Sequence, residues 1–325
     1  MNILITGGAG FIGSHLVDQL LKKNYKISVI DNLSTGRIQN LKGLKNRIKF
    51  YNFDLSKKGK WQDILKNIDV VFHLAALADI VPSIQNPDKY FRANVIATKN
   101  LVECCIKNKV KKIIYSASSS CYGIPKKYPT FENETIDPKY PYALTKRMAE
   151  EILLHYGSVY KIKTISLRLF NVYGTRSRTS GTYGAMFGVF LKQKLSNSPL
   201  TVVGDGKQSR DFTYVLDVVD AFIKCIKYKG SKNIFNIGTG KPVSINKIVE
   251  ILNCKKISIP RRPGEPSITH ANPSLAFREL GWKYGINIKE GIELVLKDIS
   301  YWKNAPLWTP RKIKIATTDW FKFLK

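Results

Sequence analysis

Between residues 2 and 22 the chain reads as a strand, a glycine-rich turn and a helix, and that order leaves few folds open. Asn2 to Thr6 is a short apolar run suited to a sheet buried on both faces. Gly7-Gly8-Ala9-Gly10-Phe11-Ile12-Gly13 follows directly and opens a helix predicted over 10–22, with Ile12, Leu16, Leu20 and Leu21 on one face. Glycine allows the tight turn and the close approach of backbone to a ligand. The helix N-terminus then offers free N–H groups to a pyrophosphate. A bare glycine pattern is weak, but after a strand and before a helix it is a dinucleotide-binding fingerprint.

The alternation continues. Strands are predicted at 26–30, 47–53, 69–74, 112–117 and 164–169, with helices over about 88–107 and 142–160 between them. This pattern implies an α/β fold: a Rossmann-type, doubly wound parallel sheet with helices on both faces. Glycine and proline then interrupt the chain, at Gly181, Gly184, Pro199, Gly204, Gly206, Gly238, Gly240, Pro260, Pro263 and Gly264. Shorter helices are predicted near 215–228, 244–252, 274–280 and 289–302. The expected division is a dinucleotide-binding domain over 1–170, a smaller substrate-binding lobe mainly over 171–305, and a basic, aromatic extension over 306–325.

The bulk numbers exclude several classes. No apolar run reaches the roughly 18 residues of a membrane helix, and with a strand predicted from Asn2 no signal peptide is expected. Cys104, Cys105, Cys121, Cys225 and Cys254 form no CxxC pair, which points to reduced thiols and a cytoplasmic location. His15, His73, His155 and His270 are scattered, so no metal site is expected. The net charge is +29, from 53 basic and 24 acidic residues. A basic surface can attract nucleic acid, but the lysines are spread in short groups and no nucleic-acid-binding motif stands out, so none is expected as partner. An anionic substrate fits the charge equally well.

Asp31 ends the second strand, 18 residues after Gly13. A carboxylate there can accept the ribose hydroxyls of an adenosine and repel a 2′-phosphate, which favours NAD over NADP. Arg37 lies close by and could weaken that preference, and Asp31 could instead only cap a turn. Asp54, after the third strand, is placed to meet adenine. Further on, Tyr142 and Lys146 stand four residues apart, on one face of a helix. A nearby cation favours the phenolate and is expected to lower the tyrosine pKa. Ser116 to Gly123, at the end of a strand, supplies hydroxyls that can bond a reacting substrate oxygen.

With these motifs in order the chain resembles the extended short-chain dehydrogenase/reductase family, and within it the nucleotide-sugar epimerase/dehydratase members. The segments that carry the resemblance run nearly the whole length: 6–15, 31–36, 73–77, 94–100, 116–123, 142–146, 167–174, 202–215 and 261–267. The resemblance implies that Tyr142 is the base, that Lys146 orients the nicotinamide ribose, and that Ser118 holds the reacting hydroxyl, flanked by Ser119 and Ser120. It assigns Gly7, Gly10, Phe11, Ile12, Gly13, Asp31, Asn32, Ser34, Thr35, Gly36, Asp54, Leu55, Leu74, Ala75, Ala76, Asn94, Ser116 and Phe170 to NAD. It assigns Asn171, Arg210, Arg262 and Thr269 to the substrate, the two arginines gripping its diphosphate.

The implied reaction is epimerisation of a nucleotide sugar, with a UDP-sugar favoured and C4 as the centre, through transient oxidation. Dehydrating and decarboxylating relatives place carboxylates just after the catalytic hydroxyl; here those positions are Ser119 and Ser120. A net oxidoreductase, a dehydratase and a catalytically silent NAD-binding protein remain as alternatives. Glu265 and Asn272 depart from the aspartates common in the family. Thr269 falls where a large tyrosine restricts relatives to plain hexoses, so a small residue implies room for an N-acetyl group; it could also merely pack in a loop. The segment after Pro306 extends past the usual end and is expected to pack on the chain's own surface, or to make an oligomer or membrane-surface contact. The resemblance also implies a homodimer through the helices near 88–107 and 142–160.

Overall fold

The computed structural model describes residues 1–177 and 185–324, so Gly181 and Gly184 lie outside the described residues. Seven strands form one parallel sheet: β1 (Asn2–Thr6), β2 (Lys26–Ile30), β3 (Ile48–Tyr51), β4 (Val70–His73), β5 (Lys112–Ser118), β6 (Lys163–Leu169) and β7 (Ile234–Ile237). Their spatial order is β7-β6-β5-β4-β1-β2-β3. Strand order reverses between β1 and β4, and the carboxyl ends of these two strands border a crevice where open α/β sheets bind ligands.

The strands are apolar throughout because both faces are covered. Ile3 and Ile5 pack on one side with Leu16, Val17 and Leu20 of helix α1 (Phe11–Lys22). Leu4 points to the other side, among Leu101 and Val102 of α2 (Ala97–Lys107) and Leu153 of α3 (Pro141–Val159). The smaller lobe has its own core of Phe187, Phe190, Leu200, Ile248, Val295 and Trp302.

Three features depart from the sequence-based expectation. Helix 88–107 is not continuous: Pro87–Tyr90 is α-helical, Phe91–Ile96 is a wider π-helical stretch, and α2 begins at Ala97. The π stretch carries Asn94, whose side chain is drawn inward to a loop, and such insertions mark functional sites. The second half also returns to the sheet. Helix α4 (Val215–Lys227) puts Val218, Val219 and Phe222 into the core beside α1, and β7 extends the sheet at β6. Finally, a helix over Met186–Leu195 and two at the end, Pro310–Ala316 and Thr318–Phe323, were not foreseen.

A buried ion pair fixes α3 against the sheet. Arg168 of β6 reaches Glu150 of α3 at 3.0 Å, and Ser166 and Arg147 bond the same carboxylate. Burial pushes the Glu150 carboxyl up, but Arg168 and the bonded neighbours outweigh it and hold it low. Removing one member would leave an uncompensated charge, at a cost of about 3–5 kcal/mol. The same Arg168 donates to Tyr122, in the turn that follows Ser118. The pair thereby sets the relative position of α3 and the turn that follows Ser118.

Candidate active site

One cavity of about 700 Å³ runs from the β1–β4 crevice into the smaller lobe. All the residues named above for cofactor and substrate line it, with one exception. Asn94 is buried behind the wall. Its carboxamide accepts from Leu77 N at 2.8 Å and donates to Leu77 O and to Thr145, each at 3.0 Å. It pins the loop after β4 to α3 rather than facing the cavity.

The glycine turn keeps the crevice open by lacking side chains. Gly7 has φ +71°, and a Cβ there would lie 2.7 Å from Ala75 N, at the end of β4. A Cβ on Gly13 would run into the Gly7 carbonyl, so the first turn of α1 could not approach the loop. Asp31 stands beside this turn and is buried. Its two oxygens accept from Ala9 N at 2.9 Å and Leu33 N at 2.8 Å. Burial raises its pKa, and those two backbone bonds oppose the rise. Arg37 lies over the Tyr301 ring, 5.3 Å from its centroid. Asp54 accepts from the N–H and hydroxyl of Ser56. The cradle and the buried carboxylate fit a dinucleotide: room for a pyrophosphate at the helix N-terminus, and an acceptor for ribose hydroxyls beside it.

At the far side of the crevice Ser118 ends β5 and Tyr142 opens α3, one residue after Pro141. The Ser118 and Ser120 hydroxyls are 2.8 Å apart and both stand beside the Tyr142 phenol. Lys146, one helical turn on, donates to Ser116 O at 2.6 Å and lies 4.2 Å from the Tyr115 ring centroid. The expected lowering of the tyrosine pKa is not seen. Burial raises Tyr142, the Ser118 bond opposes this, and the Asp79 charge adds to the rise. Lys146 is itself driven down to about 7 by burial, so its ammonium is a weak source of positive potential. The spacing put both groups on one face, as expected, but their desolvation was invisible in it.

Arg210 and Arg262 meet in the smaller lobe, around Glu265. Arg210 Nη2 is 2.9 Å from one Glu265 oxygen, and Arg262 Nη1 is 3.8 Å from the other. Asn171 follows β6, and its side-chain oxygen accepts from the Thr269 hydroxyl at 2.7 Å. That hydroxyl also accepts from Asp211 N. Asn272, the second departure, accepts from Ser274 N just ahead of the helix Ser274–Leu280, whose N-cap is Pro273.

Two contributors were missed. Tyr140 stacks on Tyr142 with ring centroids 6.3 Å apart and planes at 10°, and it bonds Ser120. Its place two residues before Tyr142, across Pro141, was the available signal. Asp79, at the start of helix Ile80–Gln85, also lines the cavity. Trp308 and Trp320, noted only as aromatic residues of the tail, line it too.

A dinucleotide cradle at the switch point, with a phenol, an ammonium and two hydroxyls gathered beyond it, defines an extended short-chain dehydrogenase/reductase. The chain belongs to the NAD dependent epimerase/dehydratase family, whose model matches residues 3–238. A UDP-glucose 4-epimerase of Mycolicibacterium smegmatis is 32% identical over 317 residues, 94% of this chain and 99% of that one. The structure is similar to UDP-N-acetylglucosamine 4-epimerase of Methanobrevibacter ruminantium, with TM-score 0.87, 32% identity, and 93% and 98% of the two chains covered. It is similar as well to UDP-glucuronic acid 4-epimerase of Bacillus cereus, solved with UDP-glucuronic acid and NAD, with TM-score 0.85, 33% identity, and 93% and 99% covered.

Proposed function

We propose that this protein is an NAD-dependent 4-epimerase of a UDP-sugar. The observation that carries the reading is the Tyr142 phenol, gathered with Ser118 and Ser120 in the same cavity as the glycine cradle. Relatives of the same length act on UDP-sugars at C4, by their names.

Residues 1–170 hold most of the cofactor cradle, and the lobe mainly over 171–305 holds the nucleotide sugar. Gly7, Gly10, Gly13 and Asp31 would hold NAD, which would supply a reversible hydride acceptor for the sugar carbon. Ser118 orients the sugar hydroxyl, and Tyr142 removes its proton and later gives it back. Arg210 and Arg262 hold the diphosphate while the sugar turns over. Ser119 and Ser120 place no carboxylate beside the hydroxyl, which supports epimerisation over elimination.

The protein also acts in the cytoplasm as a homodimer, in this reading. Phe91, Leu144 and Val159, on the helical segments 87–107 and 141–159, are 37%, 47% and 52% exposed, and support that surface as the dimer contact. No described helix is long and apolar enough to cross a membrane.

The test is a panel of nucleotide sugars followed by NMR and mass spectrometry. The expected product is a 4-epimer of unchanged mass. Loss of water or carbon dioxide, or net consumption of added NAD, would overturn the reading.

A further inference from the structure

We infer that the segment after Ala305 is a strap over the anion-binding end of the cavity, with Trp320 as its positioning residue. The solved relatives match 93% of this chain and 98–99% of their own length, leaving 7% without a counterpart. The segment spans residues 306–325. It is no loose end: Trp308 and Trp320 both line the cavity, and Trp320 is 4% exposed.

Trp320 makes three contacts there. Its Nε1–H donates to Pro263 O at 2.8 Å. The Arg262 guanidinium lies 5.3 Å from its ring centroid. Its other neighbour is Tyr140, with centroids 6.4 Å apart. A tether from a distant element holds the helix that carries it, for Gln85 Nε2 donates to Asp319 Oδ2 at 2.8 Å.

Arginine is long and rotamer-rich, and gripping an anion freezes it. A tryptophan face that already holds the guanidinium removes much of that cost before ligand arrives. The bond to Pro263 does the same for the backbone between Arg262 and Glu265. Trp320 meets Tyr140, which stacks on Tyr142, but Tyr142 is also held by its place at the start of α3, so the strap acts chiefly on binding.

The inference rests on the UDP-sugar reading, and the experiment separates the two. UDP is titrated by calorimetry into the full-length protein, alongside steady-state kinetics and bound NAD by absorbance. Trp320→Ala should weaken UDP binding and raise KM by about tenfold, the scale of a lost cation–π contact. Turnover and NAD content should stay within about twofold. Trp320→Phe keeps a ring but loses the bond to Pro263 and should fall between. Asp319→Ala, on the exposed face of the strap, should give a smaller loss of the same kind, and these two carry the test if Trp320→Ala does not fold. Unchanged UDP affinity in all three variants would overturn the strap alone. Parallel losses of turnover and NAD would also overturn it, by showing a merely structural residue. Failure of the unaltered protein to bind UDP would overturn the substrate reading, and the strap's role with it.

Discussion

Arg210 and Glu265 face each other in the cavity of the smaller lobe, guanidinium to carboxylate at 2.9 Å, although 55 residues separate them. Glu265 reaches Arg262 as well, so one carboxylate keeps both forks in place. Arg210→Gln would remove the charge-assisted donor proposed for the diphosphate, an interaction of about 1.5–3 kcal/mol. KM for the UDP-sugar should rise roughly 10- to 100-fold, with bound NAD unchanged. An unaltered KM would show that the diphosphate lies elsewhere.

Tyr142→Phe should lower turnover at least about 100-fold, the scale of one positioned acid–base group. UDP binding should survive, because the phenol is proposed to act on the sugar hydroxyl while Arg210 and Arg262 are proposed to hold the diphosphate. Ser118→Ala should lower turnover less, since Ser120 also stands beside the phenol. Near-normal turnover in Tyr142→Phe would remove the phenol from the mechanism.

Asp31 should decide cofactor choice. Its carboxylate is buried beside the cradle, where a 2′-phosphate would meet it. NAD(H) is expected in the purified protein, with weak NADP binding. Asp31→Ser should narrow the gap between the two. Tightly held NADP in the unaltered protein would contradict this role.

Thr269 lines the cavity and bonds Asn171. Its small side chain is expected to leave room for a bulky C2 substituent on the sugar. Thr269→Tyr, assayed on matched hexose and N-acetylhexosamine substrates, should lose activity selectively on the acetylated one. Equal effects on both would assign Thr269 to loop packing alone.

His73 should make the fold acid-sensitive. It is fully buried between Thr6 and Thr98, at 2.7 and 2.9 Å. Burial, helped by the Lys146 charge, lowers its pKa from 6.5 to about 3. The native imidazole therefore stays neutral while the unfolded chain takes up a proton below its ordinary value. Stability is present above that value and falls as pH drops, by roughly 2–3 kcal/mol at about two units below it. His15, lowered to about 4, adds a loss of the same sign. Urea unfolding of His73→Gln across this window should show a shallower fall than the parent. Parallel slopes would remove His73 from the acid response.

The readable features were contiguous ones. The glycine turn, the apolar strands and the four-residue spacing of Tyr142 and Lys146 each lie within a few residues, where backbone geometry alone sets the outcome. From these the parallel sheet and the location of the cradle followed. The return of α4 and β7 to the sheet was not legible, because a four-residue strand in a glycine-rich region looks like any loop until its neighbour is known. The Tyr142 pKa went the opposite way to expectation, since spacing places a cation but only packing removes the water.

The sequence by itself determined the fold class, the dinucleotide cradle and the reactive pair, because each is written in local periodicity or in residues that a turn demands. Only the tertiary structure decided that Asn94 braces a loop from behind, that Glu265 joins two arginines, and that the Trp320 ring meets Arg262. Those relationships join residues far apart in the chain, and burial, charge pairing and ring contact arise only when the folded core brings them together.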